Sequence, residues 1–164
     1  MTDQSLVPVF DGHNDTLLKL YVTQDAGKEK LFIEGSPADW HIDLPRARKG
    51  GFAGGMFAIF PPPVEKAKRQ AAGPGSNEPM APSLSMEEAR ISTLGMASIL
   101  FRLERAGGLT VCRSAADIRT AMAKNSVAAV FHIEGAEAID TDLAMLDVLY
   151  AAGLRSLGIV WSRP

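Results

Sequence analysis

Val127-Ala128-Ala129-Val130-Phe131-His132-Ile133-Glu134-Gly135 is the stretch that decides the fold. From Val127 to Phe131 the residues are apolar at successive positions, so a strand built from them must be covered on both faces. Strands of parallel sheets are covered in this way, whereas a half-exposed antiparallel strand alternates apolar with polar. Three further short runs, rich in β-branched or aromatic residues, read as strands: Leu6–Phe10, Phe52–Phe60 and Ser156–Trp161. The spacing between runs holds helical signals. Asp43 is placed to cap a short helix that Gly50-Gly51 closes, and Ser85-x-x-Glu88 is a capping box. Behind that box Ala89, Met96, Ile99, Leu100 and Leu103 form a stripe at helical spacing, stopped by Gly107-Gly108. Ser114 with Asp117 opens another helix through Met122, and Asp140 or Thr141 opens one that ends at Gly153. Strands alternating with helices imply βα units and a parallel sheet, so the fold class is α/β. The segment 61–84, rich in Pro and Gly, is expected to be a flexible loop.

Composition excludes several function classes. The chain has 164 residues, 46% apolar and 22% charged, enough for a buried core and too apolar for a disordered tail. Its net charge is −2 with no dense Lys/Arg run, which argues against nucleic acid as a partner. No window approaches the roughly 18 apolar residues of a membrane span, and the N-terminus lacks a basic signal-peptide region. One cysteine, Cys112, cannot form an internal disulfide, so a cytoplasmic location is expected.

Chemistry is confined to few residues. The histidines are His13, His41 and His132. His13 lies in Asp11-Gly12-His13-Asn14-Asp15, just past the first apolar run, and residues i and i+2 of an extended chain face one way, so His13 and Asp15 can aim at one point. An imidazole and a carboxylate so placed make half of a divalent-metal site, although the same residues are also ordinary turn chemistry. Glu134 sits at the end of the buried run, where a carboxylate is costly unless it is paired or ligates a metal. Its alternative reading is an acid satisfied by backbone amides at a helix N-terminus. Both candidates fall at the C-terminal end of a parallel strand, where α/β folds assemble active sites. His132, between Phe131 and Ile133, reads as a satisfied core or surface histidine.

Taken in order, Asp11-Gly12-His13-Asn14-Asp15, Asp43-Leu44-Pro45-Arg46 leading to Gly51-Phe52-Ala53-Gly54-Gly55-Met56-Phe57, Ile133-Glu134-Gly135, and Leu149-Tyr150-x-x-Gly-x-Arg155-x-Leu157 resemble the membrane (renal) dipeptidase family of zinc metallopeptidases. The resemblance implies a (β/α)8 TIM barrel of the metal-dependent amidohydrolase type, of which residues 1–164 would supply the N-terminal half, about four βα units. It implies two zinc ions, with His13 and Asp15 as ligands and Glu134 as the bridging, catalytic carboxylate. It further implies attack by a metal-bridged hydroxide on the amide of a dipeptide or small amide substrate. Amidohydrolases of the dihydroorotase or deaminase type show His-x-His on the first strand, which His13-x-Asp15 does not match. Three positions depart from the family: Thr16-Leu17-Leu18 replaces its Leu-Pro-Trp, Glu137 stands where many members carry His, and Val160-Trp161 replaces a substrate-binding Thr-His. His41 and His132 match no family ligand. The remaining ligands are expected in a missing C-terminal half or a second chain, and the open inner face is expected to drive association, for instance as a homo-oligomer. The alternative is a non-catalytic half-barrel remnant or interaction module.

Overall fold

The computed structural model describes residues 6–23, 25–62 and 83–161. Within them the chain runs β1 (Val9–Asn14), α1 (Thr16–Val22), α2 (Glu29–Ile33), α3 (Leu44–Lys49), β2 (Phe52–Ile59), α4 (Met86–Arg105), β3 (Thr110–Val111), α5 (Ala115–Ala123), β4 (Ala128–Glu134), α6 (Ala144–Ala152) and β5 (Leu154–Gly158). Every strand pairing is parallel. The strand singled out from the sequence is the hub of the sheet: β4 pairs with β2 along one edge and with both β3 and β5 along the other. β3 meets Ala128 and Ala129 at its start, and β5 meets Phe131 through Glu134 further on.

Alternation divides each strand between two environments. Phe57 and Ile59 of β2 and Ala129, Phe131 and Ile133 of β4 join Leu17 and Leu20 of α1 and Met96, Ile99, Leu100 and Leu103 of α4 in one core. The intervening residues, Met56, Ala58, His132 and, on β5, Ser156, face the other way. The stripe expected behind the capping box is therefore the buried face of α4, and the box itself is complete, Ser85 and Glu88 each accepting the other's backbone N–H.

Several boundaries differ from the sequence reading. β1 begins at Val9 rather than Leu6, because Leu6 and Val7 are exposed and Pro8 has no N–H to give a ladder; the first link is Val9 N–H to Gly51 O. The strand then continues through His13 to Asn14. β5 begins at Leu154, whose burial in the core anchors it, and ends at Gly158, leaving Ile159, Val160 and Trp161 exposed. β3, α1 and α2 were not expected; each is short, and β3 has only two residues on which no pattern can register. α6 is capped from a distance: Leu143 precedes it with positive φ, while Asp140 accepts from the N–H groups of Ala144 and Met145. The expected loop at 61–84 falls mostly on residues 63–82, outside those described. No helix among the described residues is long and apolar enough to cross a membrane.

Asp43 anchors the approach to β2. It is 1% exposed, caps α3 through the Arg46 N–H at 2.8 Å, and accepts from the N–H and hydroxyl of Ser36 at 3.0 and 2.9 Å. Arg46 Nε lies 3.1 Å from the same carboxylate, and its guanidinium donates to the carbonyls of Ser36, Pro37 and Trp40. Burial pushes the Asp43 carboxyl up, but the bonds from Arg46 and Ser36 and the Arg46 charge outweigh it and hold the carboxyl below its ordinary value. Asp43→Ala should cost about 2 kcal/mol, read by urea unfolding at pH 7. Because the folded-state value is lowered, this contribution is present above about pH 4 and is lost as the pH falls through the folded value. The gap between wild type and Asp43→Asn should accordingly shrink in the same titration carried to acid.

Candidate metal centre

β1, β2 and β4 are parallel, so their C-terminal ends lie on one side of the sheet, and there the three candidate residues meet. His13 is the penultimate residue of β1, and Glu134 is the last residue of β4. Asp15 occupies the N-cap position of α1, so it reaches the site from a helix start rather than from an extended strand. Asn14, between His13 and Asp15, is 7% exposed and locks this junction. Its amide donates to Asp11 Oδ2 at 3.0 Å and to the Met56 carbonyl at 3.2 Å, and its Oδ1 accepts from the Thr16 N–H at 3.3 Å. With Asn14 tied into the sheet, His13 and Asp15 are left to face each other.

His13 Nε2 stands 3.6 Å from Asp15 Oδ1 and 3.8 Å from Glu134 Oε2. These separations are too long for hydrogen bonds. Two ligands of one tetrahedral zinc stand roughly 3.4 Å apart, so the trio is slightly wider than a coordination edge. Among the described residues no three His, Cys, Asp or Glu side chains stand close enough together to hold a metal ion as they are. The arrangement is thus an open set of donors.

For Glu134 the sequence left two readings open, a metal ligand and a carboxylate capped by backbone amides. The amides that follow it are used by β5, Gly135 N–H donating to Gly158 O at 2.8 Å and Ala136 N–H to Ile159 O at 3.0 Å. They do not cap the carboxylate, which corrects the reading of Glu134 as a helix-N-terminal acid. Its side chain is 21% exposed, and burial pushes its carboxyl above the ordinary range, with Asp15 adding to the rise and His13 opposing it. Among the described residues it accepts no hydrogen bond. A half-buried acid so placed, beside a second acid and an imidazole, has the donor chemistry of a divalent-cation site.

The other histidines divide. His41 is exposed on the loop before α3 and makes no ion pair or ring contact with the trio. His132 is half-buried and bonded to Ser156, as a satisfied histidine should be, yet it faces the same space as His13, with ring centroids 5.8 Å apart. Pattern reading missed this neighbour because a lone histidine in an apolar run carries no spacing signal. It also missed an aromatic pair. β2 and β5 flank β4, and beyond their ends Phe60 and Trp161 meet edge to face at 4.6 Å, spanning the end of the strand that carries Glu134. Leu18, by contrast, which stands where the family carries its Trp, is partly buried and packs against the core. The Glu137 carboxylate lies against Gly135, which has φ +96.

The profile described as membrane dipeptidase (peptidase family M19) matches residues 4–163. A curated protein of Acinetobacter calcoaceticus, called an uncharacterized protein in the PQQ-III 3′ region, is 36% identical over 160 residues, which are 96% of this chain and 50% of that one. Among solved structures, the metallopeptidase dipeptidase AC of family M19 superposes with TM-score 0.84 at 44% identity, covering 98% of this chain and 44% of its own. A metallopeptidase from Rhodobacter sphaeroides, liganded with a phosphinate mimic of the dipeptide L-Ala-D-Ala, gives TM-score 0.86 at 43% identity, covering 98% and 47%. The chain therefore spans about half the length of the curated relative and under half of both solved chains. The parallel α/β sheet matches part of the TIM-barrel-type fold of these dipeptidases. Residues 4–163 carry the family's sequence and 98% of the chain carries its structure, and the chain belongs to the membrane dipeptidase family, peptidase family M19.

Proposed function

We propose that this chain is the N-terminal half of the barrel domain of a zinc-dependent dipeptidase, and that His13, Asp15 and Glu134 hold its metal. The observation that carries the reading is the convergence of one imidazole and two carboxylates at the C-terminal side of parallel strands, with Glu134 accepting from no amide among the described residues. A divalent cation bound there would polarise the scissile carbonyl and make water nucleophilic at neutral pH, and a second zinc would steady the developing charge. The chain's own residues do the rest. Asn14 fixes the relative orientation of His13 and Asp15, and Glu134, which accepts no hydrogen bond among the described residues, keeps both carboxylate oxygens available to bridge two cations. Phe60 and Trp161 close one side of the space above Glu134 with apolar surface, a wall suited to the side chain of a small dipeptide. Dipeptides of the L-Ala-D-Ala kind are the first substrates to try, since a relative binds a mimic of one.

Three donors from one chain hold a single zinc weakly, and a dinuclear centre needs more nitrogen and oxygen ligands. We assign these to a second half supplied by further sequence, by a second chain or by a homo-oligomer. The free edges of β1 and β5 among the described residues, and the exposed Val9, Phe10, Ile159 and Val160, fit such a partner. Cys112 is buried, and burial, helped by the charge of Asp117, pushes its thiol up to about 11, so it is inert, as suits a reducing cytoplasm. The test is hydrolysis of a dipeptide panel with zinc and with chelator, by the 164-residue chain alone and together with the second half of an M19 barrel. Turnover should appear only with zinc and only in the completed barrel. Full turnover by the chain alone as a stable monomer would overturn the half-barrel assignment, and none in either form would favour the non-catalytic module.

A further inference from the structure

His13 would present Nε2 to a metal, yet among the described residues its other ring nitrogen has no hydrogen-bond partner. Metal-ligating histidines nearly always use that second nitrogen to fix the ring, by donating it to a carboxylate, carbonyl or water. Here the ring is met by another ring. His132 packs against it edge to face, with an interplanar angle of 79°. His132 is itself held: its Nδ1 is 2.9 Å from Ser156 Oγ, across the register pair His132↔Ser156, and the Ser156 hydroxyl points on to Met56 Sδ at 3.8 Å. A hydroxyl has one proton to give. Given to the sulfur, it leaves Ser156 to accept from His132, which fixes the imidazole as the Nδ1–H tautomer and pins its ring plane. β1, β2, β4 and β5 thus each contribute one member to a row: His13, Met56, His132 and Ser156.

We propose that His132, held by Ser156, is a positioning residue that orients the His13 imidazole for metal binding. The inference rests on reading His13 as a metal ligand. Its energy comes from ring contact, and the tether to Ser156 makes that contact rigid, so removing the ring should matter more than removing its nitrogen atoms.

The test uses the metal-free protein titrated with zinc chloride by calorimetry, together with imidazole nitrogen NMR of the same samples. His132→Ala should weaken zinc binding by roughly 10–100-fold, the usual cost of losing a residue that orients a ligand. His132→Phe, which keeps an aromatic edge against His13, should restore binding to within about threefold. In the metal-free wild type His132 should show the Nδ1–H tautomer and His13 a single ring orientation, which His132→Ala should average and His132→Phe should retain. Equal affinity in His132→Ala and wild type, or equal losses in the Ala and Phe variants, would overturn the proposal. If His132→Ala does not fold, Ser156→Ala decides instead: it should release the tautomer and loosen His13, and an unchanged His13 signal would overturn the proposal. A wild type that binds no zinc but whose His13 ring is freed by His132→Ala would sink the metal reading and keep the ring contact.

Discussion

Glu134→Gln is expected to lower zinc affinity by about two orders of magnitude or more, while the metal-free protein melts at the wild-type temperature or slightly above. The two halves of that expectation have one cause. Glu134 sits at the end of β4 with its carboxylate largely buried, no amide among the described residues donating to it, and Asp15 adding negative charge across His13. In the empty site the charge is a cost, which a neutral amide of the same shape removes without leaving a cavity. With a cation present the charge is what binds. Calorimetric titration with zinc and a melting scan with and without metal read both halves. A zinc-induced rise in melting temperature that survives undiminished in Glu134→Gln would mean that metal binds elsewhere.

The parts of this molecule legible in sequence are those where one residue type has few alternatives. The unbroken apolar run Val127–Phe131 demands a place in the middle of a parallel sheet, and β4 is its hub. Caps are equally local, and Asp43, Ser85 and Ser114 each accept the amide three residues on, as their spacing demands. The site was legible only in part. The register of parallel strands places His13 beside Glu134, 121 positions away in the chain; their positions at the C-terminal ends of parallel strands put them on one side of the sheet, but no local pattern encodes how near they come. Asp15 faces His13 for a different reason than the one read from sequence, since strand alternation suggested the convergence but a helix start produces it. Phe60 and Trp161 were invisible as a pair because their contact spans β4 from strands on either side of it. Residues such as these have no periodic partner, and only the sheet order brings them together.

Gly54→Ala should destabilise the protein by about 3 kcal/mol or more, although it adds a single methyl group in a strand. A Cβ at Gly54 would stand 2.8 Å from the Ala128 Cβ and 3.0 Å from its carbonyl carbon, and closer still to its carbonyl oxygen. The obstacles are backbone and a side chain with no rotamer to yield, so relief requires β2 and β4 to part at their Gly54↔Ala128 pairing. Gly55 repeats the constraint on the other side, where a Cβ would meet Asp11 at 2.9 Å on β1. The adjacent glycines thus let β2 lie close to both neighbours at the level from which β1 and β4 run up to His13 and Glu134. For a chain of this size the loss corresponds to a melting temperature lower by about 10 °C. Gly12→Ala is the control, since a Cβ there meets nothing within 4 Å and its φ is not in the left-handed region. It should change stability by less than about 0.5 kcal/mol. Thermal melts of the two variants side by side make the comparison. Equal melting temperatures would show that the sheet yields at Gly54, and that the spacing of β2 and β4, and with it the placement of Glu134 against His13, is softer than this close approach requires.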